Sequence, residues 1–209
     1  MQAREIRDNL ARMTEAGAIV HYYSADVRDE AEFGGLLDEL QGRFGPLAVV
    51  IHGAGVIEDR LVRDKTPESF DRIFQTKVVG ARILTERLDP ARLKFCALFA
   101  SVASRFGNKG QSDYAAANEV LSKLALLLDR SWPGRVFSVA WGPWSEIGMV
   151  ADLENHLVRR GLRLISPQEG PALFVAELLH GRKGESEIIL AGGAEALARP
   201  THPAATPSR

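Results

Sequence analysis

Residues 95–121 read FCALFASVASRFGNKGQSDYAAANEVL. The run Cys96 to Phe99 is apolar without alternation, which is what a parallel strand covered on both faces requires. Ser101 closes the run, a loop punctuated by Gly107 and Gly110 follows, and Tyr114 opens a helix. In open α/β sheets small molecules bind outside the carboxyl ends of the strands, so a hydroxyl at Ser101 faces whatever is bound there. Asn118 lies four residues beyond Tyr114, one turn along the same helix face, so both side chains can point into one cleft. This is the layout of a reaction centre, and the rest of the chain is read as its support.

Outward from that stretch the elements alternate. Ile6, Leu10 and Met13 recur at helical spacing over residues 2–15, and Gly17 supplies a stop. Residues 18–25 (AIVHYYSA) carry β-branched and aromatic side chains and predict a strand ending at Asp26. Asp29 with Glu32 forms a capping pair for a helix whose stripe is Phe33, Leu36, Leu37, Leu40 and Phe44, broken at Gly45-Pro46. Leu47 to Ile51 predicts a buried strand running into His52-Gly53-Ala54-Gly55. Thr66 and Pro67 then start a long helix that includes Lys77. Beyond the Tyr114 helix, which should end near Arg130, Val136 to Ala140 predicts another strand ending in Trp141-Gly142-Pro143-Trp144. Residues 145–164 have a mixed pattern suited to a substrate lid. Ser166-Pro167-Gln168-Glu169 caps a helix to about His180, and Glu187 to Leu190 is the last strand. Five strands alternating with helices predict a parallel, three-layer α/β sheet over residues 1–195, with 196–209 an Ala- and Pro-rich tail or linker.

Bulk properties narrow the classes of function. A formal charge of −1 and a pI near 6.5 offer no basic face to nucleic acid, and no segment approaches the ~18 apolar residues of a membrane span. The single cysteine, Cys96, cannot form an internal disulfide, and the charged stretch MQAREIRDNLARM is unlike a signal peptide, which together suit a reducing, cytoplasmic setting. The five histidines are scattered, so no metal site is expected.

Ser101, the run Tyr114-Ala115-Ala116-Ala117-Asn118 and the loop between them resemble the short-chain dehydrogenase/reductase family, and within it the ketoreductase domains of polyketide and polyunsaturated fatty acid synthases. The wider family usually has a lysine four residues after the tyrosine and an asparagine on a neighbouring helix. Synthase ketoreductases exchange the two, and this chain has the exchanged form, with Asn118 after Tyr114 and Lys77 in the preceding helix. The resemblance implies a Rossmann-like, doubly wound parallel sheet that lacks the first two strands of the family. With them the family's Gly-rich phosphate loop is absent, so the 209 residues by themselves are expected to hold a dinucleotide weakly. In the family's order, 3-2-1-4-5-6-7, the absent strands fall between 18–25 and 47–51. The first strand is therefore expected to detach, to be completed by another chain, or to close up beside the second.

The resemblance further implies reduction of a β-ketoacyl thioester on an acyl carrier protein, with NADPH as cofactor and other synthase domains as partners. No side chain donates hydride, so a nicotinamide must do so. Tyr114 would donate the proton, Lys77 would lower its pKa, Ser101 would donate to the carbonyl oxygen and Asn118 would order the site. Asp26 and Val27 match the adenine-contacting position, His52-Gly53-Ala54-Gly55 resembles the motif at the next strand end, and Gly142 and Pro143 match the segment passing the nicotinamide. Ile57-Glu58-Asp59 stands where ketoreductases giving the D-alcohol carry Leu-Asp-Asp, while Phe106 and Trp144 stand at positions concerned with substrate and stereochemistry. Singly, each residue has an ordinary reading: Ser101 a turn cap, Tyr114 a core edge, Lys77 a surface lysine, Asn118 a local backbone partner, the glycines tight turns, the tryptophans core anchors. Two other functions stay open: a free-standing reductase of a small ketone, and a non-catalytic remnant with a structural or docking role.

Overall fold

The computed structural model describes residues 2–145 and 163–192. The expected lid and tail lie almost wholly outside these residues. In chain order the elements are α1 (Gln2–Glu15), α2 (Glu30–Phe44), β1 (Val49–His52), α3 (Pro67–Arg87), β2 (Phe95–Ser101), α4 (Ala103–Phe106), α5 (Ser112–Ser131), β3 (Arg135–Trp141), α6 (Glu169–His180) and β4 (Glu187–Leu190). A 3-10 turn, Val62–Asp64, precedes α3.

Local chemistry sets the helix ends. Asp29 accepts the Ala31 and Glu32 amides to begin α2, and Thr66 accepts the Ser69 amide at 3.2 Å with Pro67 in the first turn of α3. Glu32 does not complete a box with Asp29: its carboxylate accepts the Asp26 amide instead, at 3.1 Å. Ser166 accepts the Glu169 amide at 3.1 Å, while Glu169 itself pairs with Arg163. Gly17 stops α1 at φ +89°, a conformation an L side chain rarely adopts.

The four strands form one parallel sheet in the order β1-β2-β3-β4, with Val50 opposite Cys96, Leu98 opposite Ser138 and Ala140 opposite Ile189. The fifth expected strand is not there. Residues 18–25 make no ladder, and Ile19 and Tyr22 are 89% and 58% exposed. β-propensity favours a pleated, half-buried surface, and this segment has no partner strand among the described residues on which to form one. The outer edge strand β1 shows the same openness, with Val49 and Ile51 exposed while Val50 and His52 are buried.

Alternation along the strands divides the core in two. Cys96, Leu98 and Val136 pack with Leu37, Ala81, Leu84, Leu121 and Ala125, joining the sheet to α2, α3 and α5. Ala97, Phe137 and Val139 point to the opposite face, where Phe174 and Leu178 of α6 cover them. The result is three layers. Crossover helices on the α3/α5 side deliver their amino termini to the carboxyl ends of the strands, which is where the expected reactive side chains gather.

Candidate active site

Ser101 is the last residue of β2, opposite Trp141, and α5 opens eleven positions later so that Tyr114 lies in its first turn. Lys77 is buried mid-way along α3, 4% exposed, and its ammonium donates to the Phe99 carbonyl at 2.9 Å. The same nitrogen lies 5.7 Å from the centroid of the Tyr114 ring. A lysine drawn inward to a strand-end carbonyl is not a surface lysine. The Ser101 hydroxyl accepts the Ala103 amide at 3.2 Å, and its side chain and that of Asn118 both bias the Tyr114 phenol toward ionisation. Asn118, fully buried, donates its amide to the Tyr114 carbonyl at 2.7 Å, a local backbone bond, and its Oδ1 has no partner among the described residues. Four residues from three elements thus meet at one strand end.

The electrostatics differ in one respect from the sequence expectation. Burial pushes the Tyr114 phenol up; Ser101 and Asn118 oppose this, and the Asp59 charge adds to it. Burial pushes the Lys77 ammonium down to about 8. Within the chain alone the phenol therefore moves up, where its neighbours are expected from the sequence to lower it.

The other expected contacts are placed unevenly. His52 is buried, with Nε2 2.9 Å from the Lys77 carbonyl oxygen, and burial lowers its pKa to about 4, which makes it a neutral donor to that carbonyl. Val27 reaches the same spot: a Cβ on Gly80 would stand 3.1 Å from the His52 ring and 3.2 Å from Val27. Asp26 is exposed and held by Arg28 at 2.6 Å, which lowers its carboxyl to about 2. Gly53 is exposed, and Ala54 and Gly55 are half-buried. Gly142 is buried where a Cβ would meet Ala191 at 2.9 Å, and the Pro143 carbonyl accepts the Ile165 amide at 2.9 Å. Trp144, half-buried, packs 5.0 Å from Trp141 and over Gly170 of α6. Phe106 ends α4 and is 44% exposed.

Sequence reasoning missed the polar links that lie behind these side chains. Gln111 is buried and donates to both carboxylate oxygens of Asp59, at 3.1 and 3.2 Å. Lys65 and Asp113 form an ion pair at 2.8 Å with side chains 5% and 1% exposed. Partners 48 residues apart leave no spacing signal in a single sequence. Among the described residues there is no cluster able to hold a metal, and no helix long and apolar enough to cross a membrane.

A family model for the KR domain matches residues 1–146. The chain belongs to the KR domain family. These are the ketoreductase domains of polyketide and polyunsaturated fatty acid synthases, oxidoreductases of short-chain dehydrogenase/reductase type that bind a nicotinamide cofactor. This KR domain is 37% identical over 189 residues to a polyunsaturated fatty acid synthase subunit of Thraustochytrium sp., covering 90% of the chain and 7% of that protein. It is 35% identical over 173 residues to the phenolphthiocerol synthesis polyketide synthase Pks15/1 of Mycobacterium bovis, covering 80% of the chain and 8% of the synthase. Among solved structures, the first-module ketoreductase of phoslactomycin biosynthesis from Streptomyces sp. HK803 matches with a TM-score of 0.81 at 31% identity, over 88% of this chain and 42% of that one. An N-terminal ketoreductase from the macrolactin assembly line matches with a TM-score of 0.79 at 28% identity, over 93% and 38%. The KR domain described here thus spans less than a tenth of these synthases and under half of the solved ketoreductases.

Proposed function

We propose that this KR domain reduces a β-ketoacyl thioester, carried on an acyl carrier protein, to the β-hydroxyacyl form, with NADPH as cofactor and neighbouring synthase domains as partners. The observation that carries the reading is the convergence of Lys77, Tyr114, Ser101 and Asn118 at the carboxyl end of β2. The nicotinamide end of the cofactor fits these residues: among the described residues the buried Lys77 ammonium has a single carbonyl partner and the buried Asn118 Oδ1 has none, so both have bonding capacity to spare. Lys77, Tyr114, Asn118, Gly142 and Pro143 would hold that end, and His52 to Gly55 with Val27 and Asp26 would lie toward the adenine. When bound, the cofactor supplies the hydride.

The chain supplies the rest. Ser101 donates a hydrogen bond to the substrate oxygen as negative charge develops there, and Tyr114 delivers the proton. Lys77 stabilises the phenolate left behind, at a position where low dielectric strengthens the attraction. Asp59, held by Gln111, bounds the substrate side of the phenol, and with Phe106 and Trp144 it is assigned to substrate orientation, giving the D-alcohol. The test is Tyr114→Phe, which removes only the proton donor's oxygen. In the protein as the cell makes it, turnover of a β-ketoacyl thioester should fall at least about a thousandfold while NADPH binding, followed by fluorescence, persists. Chiral chromatography of the parent's product should give mainly the D-alcohol. Turnover of the variant within about tenfold of the parent would overturn the role of Tyr114, and mainly L-alcohol would overturn the stereochemical assignment.

A further inference from the structure

The Lys65–Asp113 ion pair stands where three parts of the site meet. Lys65 immediately precedes Thr66, the cap of α3, so it sits at the entrance of the helix that carries Lys77. Asp113 is the residue before Tyr114, and its second carboxylate oxygen accepts the Tyr114 amide at 2.8 Å. The Lys65 ammonium bridges the two, donating to Asp113 at 2.8 Å and to the Glu58 carbonyl at 3.0 Å, next to Asp59. Two further links bind the same segments: Gln111 to Asp59, and the Arg60 amide to the Gly110 carbonyl at 3.0 Å. Gly110 has φ +88°, and a Cβ there would stand 3.5 Å from the Arg60 backbone, so the chains lie in direct contact.

A buried ion pair is a poor source of net stability, because removing two charges from water costs about as much as their attraction returns. Its value is geometric: neither charge tolerates leaving the other, so the elements they join hold one register. We infer that Lys65 is a positioning residue of this site, its ammonium fixing the start of the Lys77 helix and the Asp59 segment against the first turn of the Tyr114 helix. The charged groups that bear on the phenol are Lys77 from α3 and Asp59 from the 53–65 segment, with the Ser101 hydroxyl at the end of β2, while Asp113 of α5 holds the Tyr114 backbone amide. Lys65 reaches or leads into each of these except Ser101. The inference rests on the role proposed for Tyr114, but it can be tested without turnover.

The chain has three tyrosines, and in the 18–25 segment Tyr22 is exposed and Tyr23 half-buried. In a Tyr22→Phe/Tyr23→Phe background, Tyr114 titrates alone and can be followed by the ring-carbon NMR signal of labelled tyrosine. Lys65→Met and Asp113→Asn each strand one buried charge and should unfold at lower urea than the background chain. The double variant strands none and should regain most of that loss. Its Tyr114 midpoint should fall by at least about half a pH unit, because water enters beside the phenol and Asp59 is released. Lys65→Arg, which keeps the charge, should leave the midpoint in place. In turnover, the double variant should lose at least about tenfold in kcat with KM unchanged. A folded double variant with the background midpoint would overturn the inference, and so would one that does not fold, since the pair would then serve the fold as a whole. A parent without reductase activity would overturn the proposed function, and the titration would still decide this inference.

Discussion

Replacing Lys77 by Met tests whether a full charge is buried at the strand end. The side chain is 4% exposed and burial takes its pKa from the ordinary 10.5 to about 8. At ~1.4 kcal/mol per pKa unit, the folded chain bears a penalty on the order of 3 kcal/mol wherever both states are protonated, below pH 8. Because the folded pKa lies below the unfolded one, the unfolded chain binds more protons between pH 8 and 10.5, and stability rises with pH through that window. Between pH 7.5 and 9.5 the linkage relation gives a gain of about 2 kcal/mol. Cys96 works against it: burial pushes its thiol from 9.0 up to about 12, so the unfolded chain ionises first and about 1 kcal/mol is lost by pH 9.5. The raw profile of the parent therefore shows only about half the effect, and the quantity to measure is the difference between parent and Lys77→Met, in which the Cys96 contribution cancels. Met keeps most of the stem's packing, and the change in the bond to the Phe99 carbonyl as the ammonium loses its proton is already contained in the Lys77 pKa. Urea unfolding of both chains at pH 7.5 and 9.5 should show the parent gaining about 2 kcal/mol relative to the variant. A difference constant to within about 0.5 kcal/mol would mean that the ammonium is hydrated rather than buried.

Burial lowers His52 from 6.5 to about 4, so its contribution is complete above pH 6.5 and is lost as pH falls toward 4. Relative to His52→Gln, which keeps a donor for the Lys77 carbonyl, the parent should lose about 2 to 3 kcal/mol between pH 7 and 4.5, read by urea unfolding. Gly170→Ala drives a methyl into the Trp144 ring, which lies directly over the glycine. That should cost about 1 to 3 kcal/mol and weaken the near-ultraviolet circular dichroism of the Trp141–Trp144 pair; an unchanged spectrum would refute the packing assigned to Trp144.

What the sequence made legible were features that residues decide locally. Asp29, Thr66 and Pro67 cap helices by chemistry contained within one turn, and those helices stand where the caps put them. The apolar runs around Cys96, Val136 and Ile188 became the strands expected of them because each has a parallel partner. Residues 18–25 carry the same β-branched signal without a neighbouring strand to pair with, and a strand is a property of the pair rather than of the segment. The Tyr114 to Asn118 spacing and Lys77 were legible through resemblance and do meet in space. The Lys65–Asp113 pair and the Gln111 grip on Asp59 were not, since nothing local marks one charge among many as buried against another far along the chain.

The rise in the Tyr114 pKa does not weaken its proposed role as donor. A proton donor must hold its proton at neutral pH, and burial ensures that the phenol is neutral there. It must release that proton only to the oxygen that has just gained charge, and an alkoxide is a far stronger base than a phenolate. What the site then has to do is tolerate the phenolate afterwards, and this is where Lys77 matters. With a pKa of about 8 it is still mostly protonated at neutral pH, so it presents a positive charge near the ring in a low-dielectric setting where screening is slight. The same burial thus raises the phenol above its ordinary 10.0 and lowers the ammonium from 10.5 to about 8, moving the two groups apart in opposite directions. Tuning of this kind needs no specific contact between them in the resting chain. It needs the ammonium close enough to gain a partner when the phenol loses its proton, and the distance from Lys77 to the Tyr114 ring meets that requirement.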